Sequence, residues 1–226
     1  MWLRQLLSTG GWIMRLPEGA MGRLPARALP LGALAGFLYF IAVVLSEPFL
    51  RPHYSLLSHP ISDFAIGRYG YLQTSALFAL GAAVLLLDVS LLRVLSLTRL
   101  SRTGLVALTL CGFASFGTGI WPTDLAGSVV QTTSGALHAV SAYGGYSSLA
   151  TAMVLLSLHF RRERAWRHLF VPSLVLSFLG IVTLAFVVRT SGTAIEGLTQ
   201  RIMAVPLLVW LLVIATRASL VRASTR

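Results

Sequence analysis

The 226-residue chain contains no lysine, a single cysteine and only seven acidic residues. With Cys111 alone there is no intramolecular disulfide and no CxxC metal site. Charged residues make up 11% of the chain, against roughly 25% in a soluble domain. That shortage excludes a water-soluble domain and a disordered chain alike. P-loop, GxGxxG, HExxH, GxSxG and EF-hand patterns are all missing, so the common signatures of nucleotide, hydrolase, zinc-protease and calcium sites give no lead. What is present is apolar: 56% hydrophobic residues, or about 127 of 226, and a mean hydropathy of +0.79. Six membrane-crossing helices of about 20 residues need about 120.

The charge-free intervals locate those crossings. Residues 28–46 and 69–87 are runs of 19, and residues 103–123 and 168–188 are runs of 21. The 36 residues of 125–160 are too many for one span and too few for two, so they read as an outer loop over 125–131 followed by one helix to about 158. The 15 residues of 202–216 suffice once Arg201 and Arg217 lay their stems along the helix and place the guanidinium at the interface. The expectation is an all-α, polytopic membrane six-helix bundle over residues 28–218, flanked by basic tails at 1–27 and 219–226. Nothing in the first tail reads as a signal peptide, because the first apolar run begins only near residue 28.

An even number of crossings puts both termini on one side. Fourteen of the 18 arginines fall on that side, and only Arg51, Arg68, Arg189 and Arg201 fall opposite. Short basic loops resist translocation, so both termini are expected in the cytoplasm and the chain in the cell membrane as a multi-pass protein. Topology and anionic headgroups account for the net charge of +11 without nucleic acid. The expected partners are membrane lipids and an apolar small-molecule substrate.

Polar variety is concentrated outside. Glu47, Asp63, Asp124 and Glu196 sit at or just beyond outer helix ends, and His53 and His59 share the first outer loop. His138 lies about seven residues, or about 10 Å, below the outer end of the fourth crossing, where an ionisable group must face the bundle or a wet cavity. Gln131 precedes it, and Arg201 opens the sixth crossing. These groups are expected to converge on a polar funnel, with His138, Asp124, His59 and Asp63 as the catalytic set and Glu47, Gln131, Glu196 and Arg201 as substrate contacts. Each has a plainer reading. His59 and Asp63 are four apart, which suits a metal pair, an acid–base unit or a helix cap. Ser58 or His59 is expected to cap a short helix with Pro60 in its first turn. Asp124 suits a turn cap, His138 a bond to a neighbouring helix, and Glu196 and Arg201 an interfacial pair. Asp88 reads as a boundary charge near Arg93, and Gly32 with Gly36 as a close contact inside the bundle.

Five motifs occur in order: His59-Pro60-Ile61-Ser62-Asp63, Gly67-Arg68-Tyr69-Gly70, Trp121-Pro122-Thr123-Asp124, Gly135-Ala136-Leu137-His138 and Gly197-Leu198-Thr199-Gln200-Arg201. Together they resemble the "domain of unknown function 998" family of six-helix membrane proteins over about residues 30–218. The resemblance implies the six-helix architecture and singles out the same outer-side residues, and it implies no activity. Two functions follow from the residue types. One binds or processes a lipid or isoprenoid-like substrate by acid–base chemistry, or with zinc held by His and carboxylate ligands. Its metal-free version is a carboxylic acid kept neutral by an apolar pocket. The paired late-helix histidines and the seventh crossing of ceramidase-like membrane hydrolases are not found here. The other function is a non-catalytic bundle that binds lipid or a partner membrane protein.

Overall fold

The computed structural model describes residues 27–51, 54–125 and 128–221. Most of both expected tails, and His53, lie outside these residues. Six α-helices follow in order: α1 (Ala28–Leu50), α2 (Gly70–Val94), α3 (Arg99–Ile120), α4 (Thr133–Phe160), α5 (Phe170–Thr190) and α6 (Glu196–Leu220). Each is long and apolar enough to cross a membrane, and the described residues form no strand. This is a multi-pass membrane protein. We call the end bearing Ala28 and Leu220 the terminal end and the opposite end distal.

Each helix packs on its neighbour in sequence and α6 returns to α1, so the six close a ring. The helices are apolar all round, as membrane spans must be. Leu38, Phe113 and Phe178 point outward at 56–65% exposure, while Leu87, Leu108, Met153 and Trp210 are fully buried. Small residues set the α1–α2 crossing. A Cβ on Gly36 would stand 2.7 Å from the Ala83 Cβ and 2.9 Å from the Ala79 carbonyl. The Gly32/Gly36 pair therefore lets α1 lie against α2, the role small-xxx-small patterns take where lipid supplies no hydrophobic drive.

Helix ends follow local chemistry. Thr98 and Ser101 form a reciprocal capping box at the start of α3, and Thr132 caps α4 by accepting from the Gly135 N–H at 3.0 Å. The loop before α4 and the single long helix after it match the reading of the 36-residue interval. Several boundaries differ: α3 begins at Arg99 and takes in Arg102, α5 runs through Arg189 to Thr190, and three more involve charges inside the bundle. α1 continues through Glu47, α2 continues through Asp88 to Val94, and α6 begins before Arg201. In each of these three a charge taken as a span limit has a partner inside the bundle. Asp88 is buried and accepts from Thr109 Oγ1 at 2.7 Å, tying α2 to α3.

The short helix in the first distal loop is a 3-10 turn, Ile61–Ala65, and its start also differs from expectation. Pro60 stands before it in extended geometry (ψ 156°), and neither Ser58 nor His59 caps it. With its ring fixing φ, Pro60 enters the turn only through its carbonyl, which accepts from the Asp63 N–H at 3.1 Å. The His59 ring is thereby left to bond elsewhere.

Candidate functional site

The distal end is closed by the first loop, and two arginines hold it there. Arg51 Nη1 donates to the Asp63 carbonyl at 3.3 Å, and Nη2 donates to the carbonyls of Phe64 (3.1 Å) and Ile66. Its Cζ also lies 4.7 Å from the centre of the Phe64 ring, within cation–π range. Arg201, from α6, reaches across to the same loop. Nη2 donates to Glu47 Oε2 at 2.6 Å, and Nη1 donates to the carbonyls of His59 (2.7 Å), Leu56 (3.0 Å) and Gly197 (3.0 Å). Glu47 is fully buried, so this is a desolvated ion pair that needs its partner. Gly197 completes the seat: a Cβ there would collide with the His59 carbonyl and approach the Leu56 carbonyl to 2.7 Å.

Within the loop, His59 Nδ1 lies 3.2 Å from Asp63 Oδ2, the pairing that their spacing suggests. The imidazole stacks on Tyr54, with ring centres 4.9 Å apart, and Tyr54 donates its hydroxyl to the Pro60 carbonyl at 2.7 Å. Burial, then the negative charges of Glu47 and Asp63, push the Tyr54 phenol well above its ordinary range, so it stays a donor. His59 is 36% exposed and Asp63 only 2%. The pair is a histidine–carboxylate unit with one member open to solvent.

His138 and Asp124 belong to another corner. His138 is buried and donates Nδ1–H to the Trp121 carbonyl at 2.8 Å, joining α4 to the end of α3. Asp124 accepts from the Thr132 N–H (2.9 Å) and hydroxyl (2.7 Å), which orients the residue that caps α4. Because α4 starts at Thr133, His138 is five residues into it, about 7.5 Å, shallower than expected. It is also eight residues, about 12 Å along the helix, from Tyr146, the α4 residue that meets α6. Neither His138 nor Asp124 bonds to His59, Asp63, Glu47 or Arg201. Gln131 is exposed. Glu196 accepts from the Gly192 N–H at 2.6 Å and caps the turn before α6. Arg201 pairs with Glu47 instead, because residues five apart are about 140° apart around one helix and cannot meet. Among the described residues no three His, Cys, Asp or Glu side chains gather as a metal site.

The structure adds a feature that the sequence reading missed. Beneath the loop lies a cavity of about 90 Å³ lined by α2, α3, α4 and α6, with Phe40 of α1 and with Ile61 and Ser62 as its roof. That volume is severalfold the roughly 10–15 Å³ a cavity needs to hold one water. Its lining runs from Gln73 to Val84 on α2 and from Gln200 to Leu211 on α6, eleven residue steps each or about 16 Å. The distal part is polar, with Gln73, Gln200 and Tyr146, whereas Val84, Leu149, Leu207 and Leu211 make the deeper part apolar. Gln200 Oε1 accepts from the Ile61 N–H at 2.5 Å, fixing the roof, and Gln200 Nε2 lies 3.5 Å from the Tyr146 hydroxyl. Gln73 is fully buried, and among the described residues neither its Oε1 nor its Nε2 has a partner. None of the eight sequence candidates lines this cavity. Gln200 stands inside a quoted motif. Gln73 does not, and an amide interrupts no charge-free run.

A family model described as "Protein of unknown function (DUF998)" matches residues 33–217, which takes in all six helices and both distal assemblies. The chain belongs to this family. No curated protein and no solved structure matches it. The family's span includes Gln73, Tyr146 and Gln200 as well as the loop seat on Gly197 and Arg201.

The terminal end carries a polar cluster that sequence reading also missed, though His159 and Glu163 are four apart. Glu163 Oε1 accepts from the Ser96 N–H at 2.9 Å and from His159 Nε2 at 3.1 Å, and Thr98 Oγ1 lies 3.3 Å from His159 Nδ1. This joins the α2–α3 and α4–α5 loops. Burial pushes the Glu163 carboxyl up, but the Ser96 hydrogen bonds and the His159 charge outweigh it and hold the pKa below the ordinary 4.5. A lowered folded-state pKa means that the unfolded chain binds the proton more readily. The contribution is therefore complete above the ordinary value and is lost as pH falls through the lowered one. We expect the wild-type unfolding midpoint in detergent to drop across that acid window and Glu163→Gln to remove the Glu163-dependent part of the drop. Parallel pH profiles for the two proteins would refute the assignment.

Proposed function

We propose that this protein binds a single-chain amphiphile of lipid or isoprenoid type inside its helix bundle. The observation that carries the reading is the cavity itself: a slot about 16 Å long, apolar below and polar above, with the unpartnered Gln73 amide in its wall. A buried amide without a partner costs roughly 1–3 kcal/mol, which a ligand group can offset. The volume suits one slim chain rather than two tails. A furrow between α1 and α6, lined by the exposed Leu45 and Val205, shares Ile61, Ala204 and Leu208 with the cavity wall. A bilayer chain thus comes within one layer of side chains of the interior. Binding is favoured over chemistry because His138, Asp124 and the His59–Asp63 pair lie outside the cavity lining, with bonds that brace loops and helix ends.

The test is native mass spectrometry of protein extracted from its membrane in mild detergent. Wild type should carry a single-chain amphiphile, and Ala142→Leu, which adds a side chain to the cavity wall, should lower its occupancy at least tenfold. An adduct-free wild type whose unfolding midpoint rises in Ala142→Leu would mark the space as a packing void and overturn the proposal.

A further inference from the structure

The cavity also specifies the head of its ligand, an inference that rests on the binding reading above. No Arg, Asp, Glu or His contributes to the lining. Both Nη atoms of Arg201 are bonded, to Glu47 and to loop carbonyls, which leaves its buried Nε as its one unbonded nitrogen among the described residues, and Arg51 bonds three other carbonyls. A phosphate or carboxylate brought here would lose its hydration with no cation to replace it, the situation that buried charges avoid. Hydrogen-bonding capacity is present instead. Gln73 offers a free acceptor, Oε1, beside a free donor, Nε2. Tyr146, whose hydroxyl oxygen faces Gln200 Nε2 at 3.5 Å, keeps its own proton to donate. Gln200 Oε1 is spent on the roof.

We propose that the ligand is an uncharged long-chain or isoprenoid alcohol whose hydroxyl bonds to both amide atoms of Gln73, with Tyr146 as a second donor and the chain running toward Leu207 and Leu211. A hydroxyl gives and accepts at one atom, which is what a side-by-side amide donor and acceptor demand. An ether leaves the acceptor unsatisfied, and a hydrocarbon leaves both groups so.

The experiment uses the full chain in detergent micelles and a diazirine-bearing prenol, with labelled peptides read by mass spectrometry. Label should fall on cavity residues and be displaced by the unlabelled alcohol at least tenfold more readily than by its phosphate ester or the matched fatty acid. Gln73→Leu provides a second readout. It removes an unsatisfied amide, so the ligand-free variant should unfold at the same temperature as wild type or higher, while its affinity for the alcohol falls about tenfold, or about 1.4 kcal/mol. Equal labelling by all heads, unaffected by Gln73→Leu, would leave the binding reading standing and overturn the head-group inference. Preferential displacement by the phosphate ester would also overturn it. Failure of every chain to label the cavity would remove both.

Discussion

Arg201→Met is expected to cost about 3–5 kcal/mol of folding stability, the largest effect of any single change considered. The substitution keeps the aliphatic stem but deletes the cation that, among the described residues, bonds Glu47, a carboxylate with no exposure to solvent. It also releases the Leu56 and His59 carbonyls, which hold the first distal loop to α6. Most of the loss comes from stranding a buried charge, so neutralising the other partner should recover part of it. Glu47→Gln/Arg201→Met is expected to be more stable than Arg201→Met alone, with a coupling of about 1–3 kcal/mol between the sites. Denaturation of all four members of the cycle in mixed micelles checks this. If Arg201→Met falls within about 0.5 kcal/mol of wild type, the ordinary range for surface substitutions, the pair is not what closes the distal end.

Gly197→Val should follow, at about 1–3 kcal/mol, the usual cost of forcing atoms into a packed site. Its obstruction is backbone on both sides, the His59 and Leu56 carbonyls, so no rotamer change relieves it. The loop must lift, and the Leu198 N–H to Leu57 carbonyl bond at 3.0 Å must lengthen with it. Because Ile61 and Ser62 roof the cavity, the same substitution should raise hydrogen exchange across residues 54–66 while the lower half of α2 stays protected. Unchanged exchange in that loop would show that Gly197 is not its seat.

All six crossings were legible because a membrane span is a local property: enough consecutive apolar residues to cover the hydrocarbon, whatever surrounds them. The same method misplaced helix limits, at Glu47, Asp88 and Arg201 inside the bundle and at Arg102 and Arg189 near its ends, because it treats every charge as a boundary. Glu47, Asp88 and Arg201 do not end their helices because each has a partner at that depth. Glu47 and Arg201 are 154 residues apart, and no sequence window contains both. The His59–Asp63 contact was readable, since four residues on one turn carry their own geometry. The funnel expected around His138 is not legible in the same way, because depth along a helix says nothing of which neighbour stands opposite. His138 meets the Trp121 carbonyl.

The cavity shows the division most clearly. Gln73 and Gln200 are unremarkable amides in apolar runs, and their significance is relational: one has a bond to the roof, and the other has none. Sequence alone determined that the chain is a six-helix membrane bundle, because apolar length and the shortage of charge are summed along the chain. Only tertiary structure decided which polar groups are paired, which are left unpaired, and where space remains, because hydrogen bonding and packing depend on atoms brought together from distant parts of the chain.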